Sequence, residues 1–574
     1  MTGADPTAGT RGRVRPVKRP GWEHKRLCLV SALGAFFTLL GLGSISAAEI
    51  RLQEVTTEWG LEFRHHHGGS GERYMLETMV GGVVLFDYDG DGDVDVFFVD
   101  GGHLPGYQGE EPISRLFRND GPKRFVDVTD EAAIEFGGYG CGAAAGDVDG
   151  DGDLDLYLTA YGENALFRNQ GDGTFREVGK ESGVADPLWS ASAAFSDVDH
   201  DGDLDLYVAN YVDWAVDNNK FCGNRATGVR GYCQPGIFNG HPDRLYRNRG
   251  DGRFTDEAAA AGFSEARNAG LGVAFGDLDG DGWDDLYVAN DLDPNFLFRN
   301  RGDGTFEDVS LLSGTAYSDG GVPEAGMGVA LGDLDGDGLI DIVVTNFALE
   351  TNAFYRNAGS GIFIDHRFLS RIAEPSLRYL TFGVAALDLD HDRDLDLVFA
   401  NGHILDNAET LSAVGEYAQR NQIMENLGRG RFQERQDAGV DKVGVSRGLA
   451  FGDLDGDGDL DLVINNSNQV SEVYENLGGA QSGGWLQVDL VGSGGNTFAV
   501  GTRLVAVTAG EEQVREVQAG SSYLSQHDLT IHFGLGDAAA VTELHLHWPN
   551  GRRQILRDVS VNRRLRVVES GSQR

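Results

Sequence analysis

Short apolar stretches recur along the chain in a fixed order. A run of small and apolar residues, such as GVAFG at 272–276, precedes an acidic loop. An alternating segment follows, such as DLYVAN at 285–290, and alternation of period two predicts a half-buried β-strand. A third segment ends on asparagine: LFRN at 116–119, 166–169 and 297–300, LYRN at 245–248 and FYRN at 354–357. The pattern decays to IMEN at 423–426 and VYEN at 473–476. After a turn such as GDGTF, a fourth segment starts: FVDVT at Phe125, FREV at Phe175, FEDVS at Phe306. Four short strands with tight turns predict one antiparallel sheet. Seven copies, 50 to 80 residues apart, predict an all-β fold arranged radially, a seven-bladed β-propeller.

No fourth segment follows Asn476, where the chain runs into LGGAQSGG. RLQEVTTEWG at 51–60 resembles RFVDVTDEAA at 124–133. The missing strand is therefore expected from the N-terminal side, closing the seventh blade.

The acidic loops are nine residues long, with aspartate at positions 1, 3, 5 and 9 throughout. The first holds Asp87, Asp89, Asp91, Asp93 and Asp95, and the second Asp147, Asp149, Asp151, Asp153 and Asp155. The third holds Asp197, Asp199, Asp201, Asp203 and Asp205, and the fourth Asp277, Asp279, Asp281, Trp283 and Asp285. The fifth holds Asp333, Asp335, Asp337, Leu339 and Asp341. The sixth holds Asp388, Asp390, Asp392, Asp394 and Asp396, and the seventh Asp453, Asp455, Asp457, Asp459 and Asp461. Calcium takes six to eight oxygen ligands, and alternate residues of a tight loop can turn inward. Trp283 and Leu339 have no side-chain oxygen, so position 7 is expected to offer its backbone carbonyl. Glycines at positions 4 and 6 admit the backbone angles of such a wrap. Up to seven calcium sites are expected. Magnesium fits less well, because it keeps its waters.

An EF-hand would need a bidentate glutamate at position 12 and flanking helices; Phe98 and Leu158 stand there, between strand patterns. The glycine phasing also differs from calcium β-roll nonapeptides. In the sixth loop His391 and Arg393 replace the two glycines. Strain and a competing cation make site 388–396 the weakest expected.

The loops and their flanking motifs resemble the FG-GAP/VCBS repeats of integrin-α-like propellers. That resemblance covers about 87–476 and implies calcium cages within hairpins and a ring that serves as a binding platform. Beyond 478–484 the acidic repeat stops. Strand-like segments WLQVDL (485–490), TRLVAVTA (502–509), EQVREVQA (512–519), LTIHFG (529–534), VTELHLHW (541–548) and RLRVVE (564–569) predict a small β-sandwich. GSSYLSQHDLTIHFGLG and HWPNG resemble the ASPIC/UnbV domain found in the cartilage acidic protein family. FRHHHGGSGERYMLETMVGGVVLFDYDGDGD at 63–93 also looks like that family, which implies extracellular calcium binding linked to adhesion or matrix contact.

Composition changes this picture at three places. The net charge of −43 excludes nucleic acid and anionic surfaces as natural partners. A basic segment, an apolar run at 27–43 and SISAAE read as an export signal over 1–48, or as an uncleaved anchor. The expected organisation is then signal 1–48, propeller 49–480 and ASPIC/UnbV-like domain 481–574, in an exported protein (secreted, periplasmic or cell-surface) with no later membrane span. Cys222 and Cys233, 11 apart in one insertion, are expected to pair in an exported protein, and Cys141 to be a buried hydrophobe.

The insertion 211–243 carries Trp214, Phe221, Tyr232 and Phe238, suited either to a partner or to local packing. His65, His66 and His67 are consecutive and cannot all face one ion; His545 and His547 share a strand face that His532 could join. Ser522, Ser525, His527 and Asp528 lack a nucleophile-elbow pattern. The expected function is a binding or adhesion module holding a protein or glycan on a propeller face. The alternative is a propeller enzyme acting on polysaccharide, lyase-like, which would need a Lys/Arg/His cluster at the central opening.

Overall fold

A computed structural model describes residues 50–263, 267–411, 415–478 and 483–570. The export signal lies outside them. All described residues belong to one compact unit. Among them no helix is long and apolar enough to cross a membrane.

The chain is all-β. The repeat forms seven four-stranded antiparallel sheets. Sheet one comprises Val83–Phe86, Asp95–Phe98, Arg115–Asn119 and Phe125–Asp127. The next five follow the same plan, their first strands being Tyr139–Gly146, Ser190–Ser196, Gly270–Gly276, Val329–Gly332 and Thr381–Leu387. Sheet seven is Ser446–Gly452, Asp461–Asn466 and Glu472–Asn476. Its fourth strand is Leu52–Glu54, with Leu52 opposite Asn476. The N-terminal side thus supplies the missing strand, as the likeness between the two segments predicts.

Each first strand lies beside the first strand of the next sheet, and that of sheet seven lies beside that of sheet one. The first five of these strands are buried along their length, and the last two at all but one position each. Their alternation gives way to runs such as GAAAG because both faces are covered. Apolar side chains from successive sheets share cores: Val84, Phe86 and Phe97 of sheet one pack with Ala143, Leu156 and Phe167 of sheet two.

Past residue 483 two sheets share one apolar core. One has the order Ile531–Gly536, Gly484–Val491, Arg563–Val568, the last pair parallel. The other has the order Glu511–Glu516, Arg503–Thr508, Ala540–His547, Arg553–Ser560. Leu486 and Phe533 from the first pack with Leu504 and Leu544 from the second. The strand Arg553–Ser560 escapes the sequence pattern. It is an edge strand with five of its eight residues exposed, so it carries little apolar alternation.

Candidate metal loops and the segment that plugs the ring

Each acidic loop joins the first two strands of a sheet, and its aspartates do different work. In loop one, Asp87 accepts N–H bonds from Gly90 at 2.8 Å and Gly92 at 2.9 Å. Asp91 accepts from Asp93, and Asp95 from Tyr88 at 3.0 Å and from Asn119 at 2.7 Å. Position 1 therefore wraps the loop, and position 9 ties it to the third strand. Loops two and seven repeat the scheme closely.

Each oxygen that accepts one of these bonds keeps a second lone pair, and the carboxylates converge. Asp87, Asp89 and Asp95 each place one oxygen within 4.8 Å of the others, as do Asp147, Asp149 and Asp155, and Asp333, Asp335 and Asp341. In loops three and four the converging sets are Asp197, Asp199, Asp201 and Asp277, Asp279, Asp281. Oxygens of Asp149, Asp197, Asp335 and Asp388 are buried with no hydrogen-bond partner. Burial, followed by mutual repulsion, pushes Asp95 and Asp285 up to about 9 and Asp341 up to about 8. A bare carboxylate cluster of this kind is costly, and a hard cation with oxygen ligands would relieve it. The donor set fits such an ion, so the loops could hold a metal.

The loops are not equivalent. In loop three the guanidinium of Arg247 lies 3.1 Å from Asp199 and 2.7 Å from Asp205, a positive charge inside the cage. The sequence places the weakest expected site in loop six. There His391 and Arg393 do take positive φ, 59° and 90°, which strains non-glycine backbone. The Arg393 guanidinium pairs with Glu511, and its charge acts on Asp392 and Asp394 of the loop. Trp283 stacks on His200 of loop three at 3.7 Å, so position 7 of loop four also clamps its neighbour.

The asparagine that ends each third strand joins neighbouring sheets, a role its motif alone does not reveal. Asn169 donates from its side chain to Leu154 O in its own loop region and to Tyr88 O, position 2 of loop one. Asn248 reaches Val148, Asn300 reaches Val198, Asn357 reaches Leu278, Asn426 reaches Leu334 and Asn476 reaches Leu389. Asn119 reaches Leu454 of loop seven, and the cycle closes. The signal was present as a seven-fold recurrence.

The region past 483 touches all seven loops. Arg564 donates to Gly92 O, Thr497 to Asp147, Asn496 N–H to Gly202 O, and Glu516 accepts from Asp277 N–H. Arg503 donates to Gly338 O, Gly536 N–H to His391 O, and Gln487 to Asp453 at 2.7 Å. From this base the segment 519–527 enters the space between first strands. Gln526 bonds Val83 and Ala145, Leu524 bonds Ala143 and Ser192, and Ser522 bonds Val329 and Val384. Tyr523 is fully buried and donates to Met79 O at 2.6 Å. The small residues of the first strands make room: a Cβ on Gly142 would lie 2.7 Å from Leu524 O.

This plug accounts for GSSYLSQH. Ser522 and Ser525 accept backbone N–H bonds from Val384 and Val83, and His527 packs on Phe451 at 4.1 Å. His545 pairs with Glu543, while His532 lies on the other sheet and bonds Gly458 O, so the three histidines are not brought together. Cys222 and Cys233 form a disulfide, and Cys141 is free and buried. In the insertion, Trp214 is buried against Tyr74, Tyr161 and Trp189, and Tyr232 donates to Glu77. Local packing takes these two aromatics and leaves Phe221 at the surface.

Comparison with known proteins agrees with this anatomy. Residues 492–574 match the family described as ASPIC and UnbV. Segments 87–158, 147–208, 236–288, 277–344, 333–399 and 408–464 match the FG-GAP-like repeat and together include all seven loops. Cartilage acidic protein 1 of Xenopus tropicalis is 32% identical over 289 residues, 49% of this chain and 42% of that protein. The Homo sapiens protein of that name is 30% identical over 334 residues, 57% and 48% respectively. The chain spans about half the length of the curated relatives it matches. The solved structure of an Agrocybe aegerita lectin, which recognises non-reducing terminal N-acetylglucosamine, is 17% identical, with a TM-score of 0.40 over 70% of this chain and 92% of that one.

Proposed function

The chain belongs to the FG-GAP-like repeat family and carries an ASPIC and UnbV region, and from that premise we propose an exported, calcium-stabilised seven-bladed propeller that acts as an interaction module. The carrying observation is that aspartates converge in loops one to five, and that loops two, three, five and six hold buried carboxylate oxygens without a hydrogen-bond partner. Calcium suits them because the ligands are hard oxygens supplied almost entirely by the protein, whereas magnesium keeps several of its waters. The ligands are the loop aspartates at positions 1, 3, 5 and 9, with the position-7 carbonyl, including those of Trp283 and Leu339. Sites three and six are the weakest: Arg247 sets its charge against both Asp199 and Asp205 in the first, and His391 and Arg393 take positive φ in the second. The signal 1–48, the propeller 49–480 and the ASPIC/UnbV-like domain 481–574 are the units of this reading.

The C-terminal domain lies over the acidic loops, so the opposite face and the rim are left to a partner. Propellers present connecting segments there, and recognition concentrates on such segments. A protein or a glycan is the expected ligand. A binding screen of the mature protein against both classes, with calcium and with chelator, tests this. Calcium-dependent capture of a partner supports it; turnover of a polysaccharide without calcium overturns it.

A further inference from the structure

Three histidines at the ends of hairpins remote from the acidic loops share one constraint. Asn468 N–H donates to His65 Nδ1 at 3.1 Å, Gly69 N–H to His67 Nδ1 at 3.0 Å, and Leu405 N–H to His403 Nδ1 at 2.9 Å. An imidazole nitrogen that accepts a backbone N–H carries no proton. In the neutral ring the proton is then on Nε2, which becomes a donor. Burial pushes His65 and His403 down to about 4, so both are neutral near pH 7. Both are fully buried, and the Nε2 of each has no hydrogen-bond partner.

Arg447 stands beside them. It is 1% exposed. Its Nε donates to Thr78 O and its Nη1 to Gly402 O and Ser446 O, and its guanidinium lies 4.0 Å over the Phe382 ring. Gly402 adjoins His403. A Cβ on Gly81 would lie 3.5 Å from both Arg447 Cβ and His65 Nε2, so Arg447 and His65 flank the same point. Among the described residues no carboxylate forms an ion pair with Arg447; the ionisable groups around it are Tyr417, Tyr523 and Tyr232, whose hydroxyls burial keeps neutral. The half-buried His67 and Tyr417 each interact electrostatically with Arg447 and with Asp406, the partner of Arg73.

A buried cation without a counter-charge is costly, and so is a buried N–H without an acceptor. One ligand would relieve both. It must accept hydrogen bonds, which excludes a metal ion at these Nε2–H groups. It must carry no more than a single negative charge, because Arg447 is the fixed cation, the imidazoles are neutral and the buried Asp100 carboxylate already acts on His65. A divalent sulfate or phosphate would leave a net negative charge buried.

We propose that Arg447, His65 and His403 form a binding site for a small monocarboxylate on the face opposite the acidic loops. Two carboxylate oxygens supply enough lone pairs for both imidazole N–H groups and the guanidinium. The site is independent of the calcium loops and does not rest on them.

The test uses the full mature chain with histidine side chains labelled with ¹⁵N, in chloride-free buffer. Acetate, glucuronate, acetamide, chloride and sulfate are titrated while the imidazole N–H resonances are followed. Acetate should shift two Nε2–H resonances saturably, while acetamide, of the same shape without the charge, should not. Glucuronate binding as well would mark the ligand as an acid sugar; acetate alone would mark a small free acid. Arg447→Lys and His403→Phe should each weaken acetate at least tenfold. Where Arg447→Lys does not fold, His403→Phe decides, and where neither folds, the wild-type contrast between acetate and acetamide decides. The proposal is overturned if acetamide matches acetate, if chloride or sulfate binds more tightly, if no resonance shifts, or if folded variants bind as the wild type does.

Discussion

The side-chain amide of Asn119, on the third strand of sheet one, donates at 2.8 Å to the backbone oxygen of Leu454 in acidic loop seven. These residues are 335 apart in the chain, and their bond closes a cycle that six other asparagines carry around the sheets. The motif that ends each third strand is therefore a joint between neighbours. It pins one acidic loop to the next sheet without using a loop carboxylate.

Removing one joint should weaken the whole unit. Asn248→Ala would strip the bonds to Val148 O and Leu204 O from a buried position. Two orphaned carbonyls cost about 2–4 kcal/mol. Urea denaturation should show that loss, while Gln170→Ala, at the exposed turn beside Asn169, should stay within about 0.5 kcal/mol of wild type.

The strand Leu52–Glu54 completes sheet seven, and Trp59 behind it is 1% exposed and packs near Phe125 of sheet one. Deleting residues 50–59 should lower the melting temperature of the entire molecule and turn one cooperative transition into a broad one. An unchanged melt would mean that the seventh sheet does not need its fourth strand.

Tyr523 anchors the plug. Tyr523→Phe removes only the hydroxyl bond to Met79 O and should cost about 1 kcal/mol. Tyr523→Ala also empties a fully buried site and should cost about 3–5 kcal/mol. Denaturant melts of the two variants separate the bond from the packing.

The loops also predict a reversal of pH dependence. Without a cation, burial holds Asp95 and Asp285 up to about 9 in the folded state, against about 3.9 in an unfolded chain. Between those values the folded protein binds more protons than the unfolded one, so its stability falls as pH rises through that window. In chelator, the denaturation midpoint should therefore rise from about pH 8 to about pH 5. In saturating calcium, which needs ionised carboxylates, the midpoint should fall over the same interval.

Much of this was legible because the repeat is written in side chains. Period-two segments, the nine-residue loops and the likeness of 51–60 to 124–133 all reflect local geometry that returns seven times. The edge strand Arg553–Ser560 was not legible, because solvent on its exposed side removes the alternation. The plug was hidden for another reason. GSSYLSQH has no strand period, and its partners, among them Val83, Ser192 and Val384, lie 138 to 442 residues away. The intrusion of Arg247 into loop three, like the pairing of Arg393 with Glu511, depends on side-chain direction, which spacing does not encode.

The central claim is that a cation in the acidic loops holds the ring and the domain docked on it. The direct measurement is the melting temperature of the mature protein in calcium and in excess chelator, with bound calcium counted by elemental analysis. A large fall in chelator is predicted, with several calcium ions per chain lost and restored together with stability. Equal melting temperatures, or no calcium retained by the folded protein, would contradict the account.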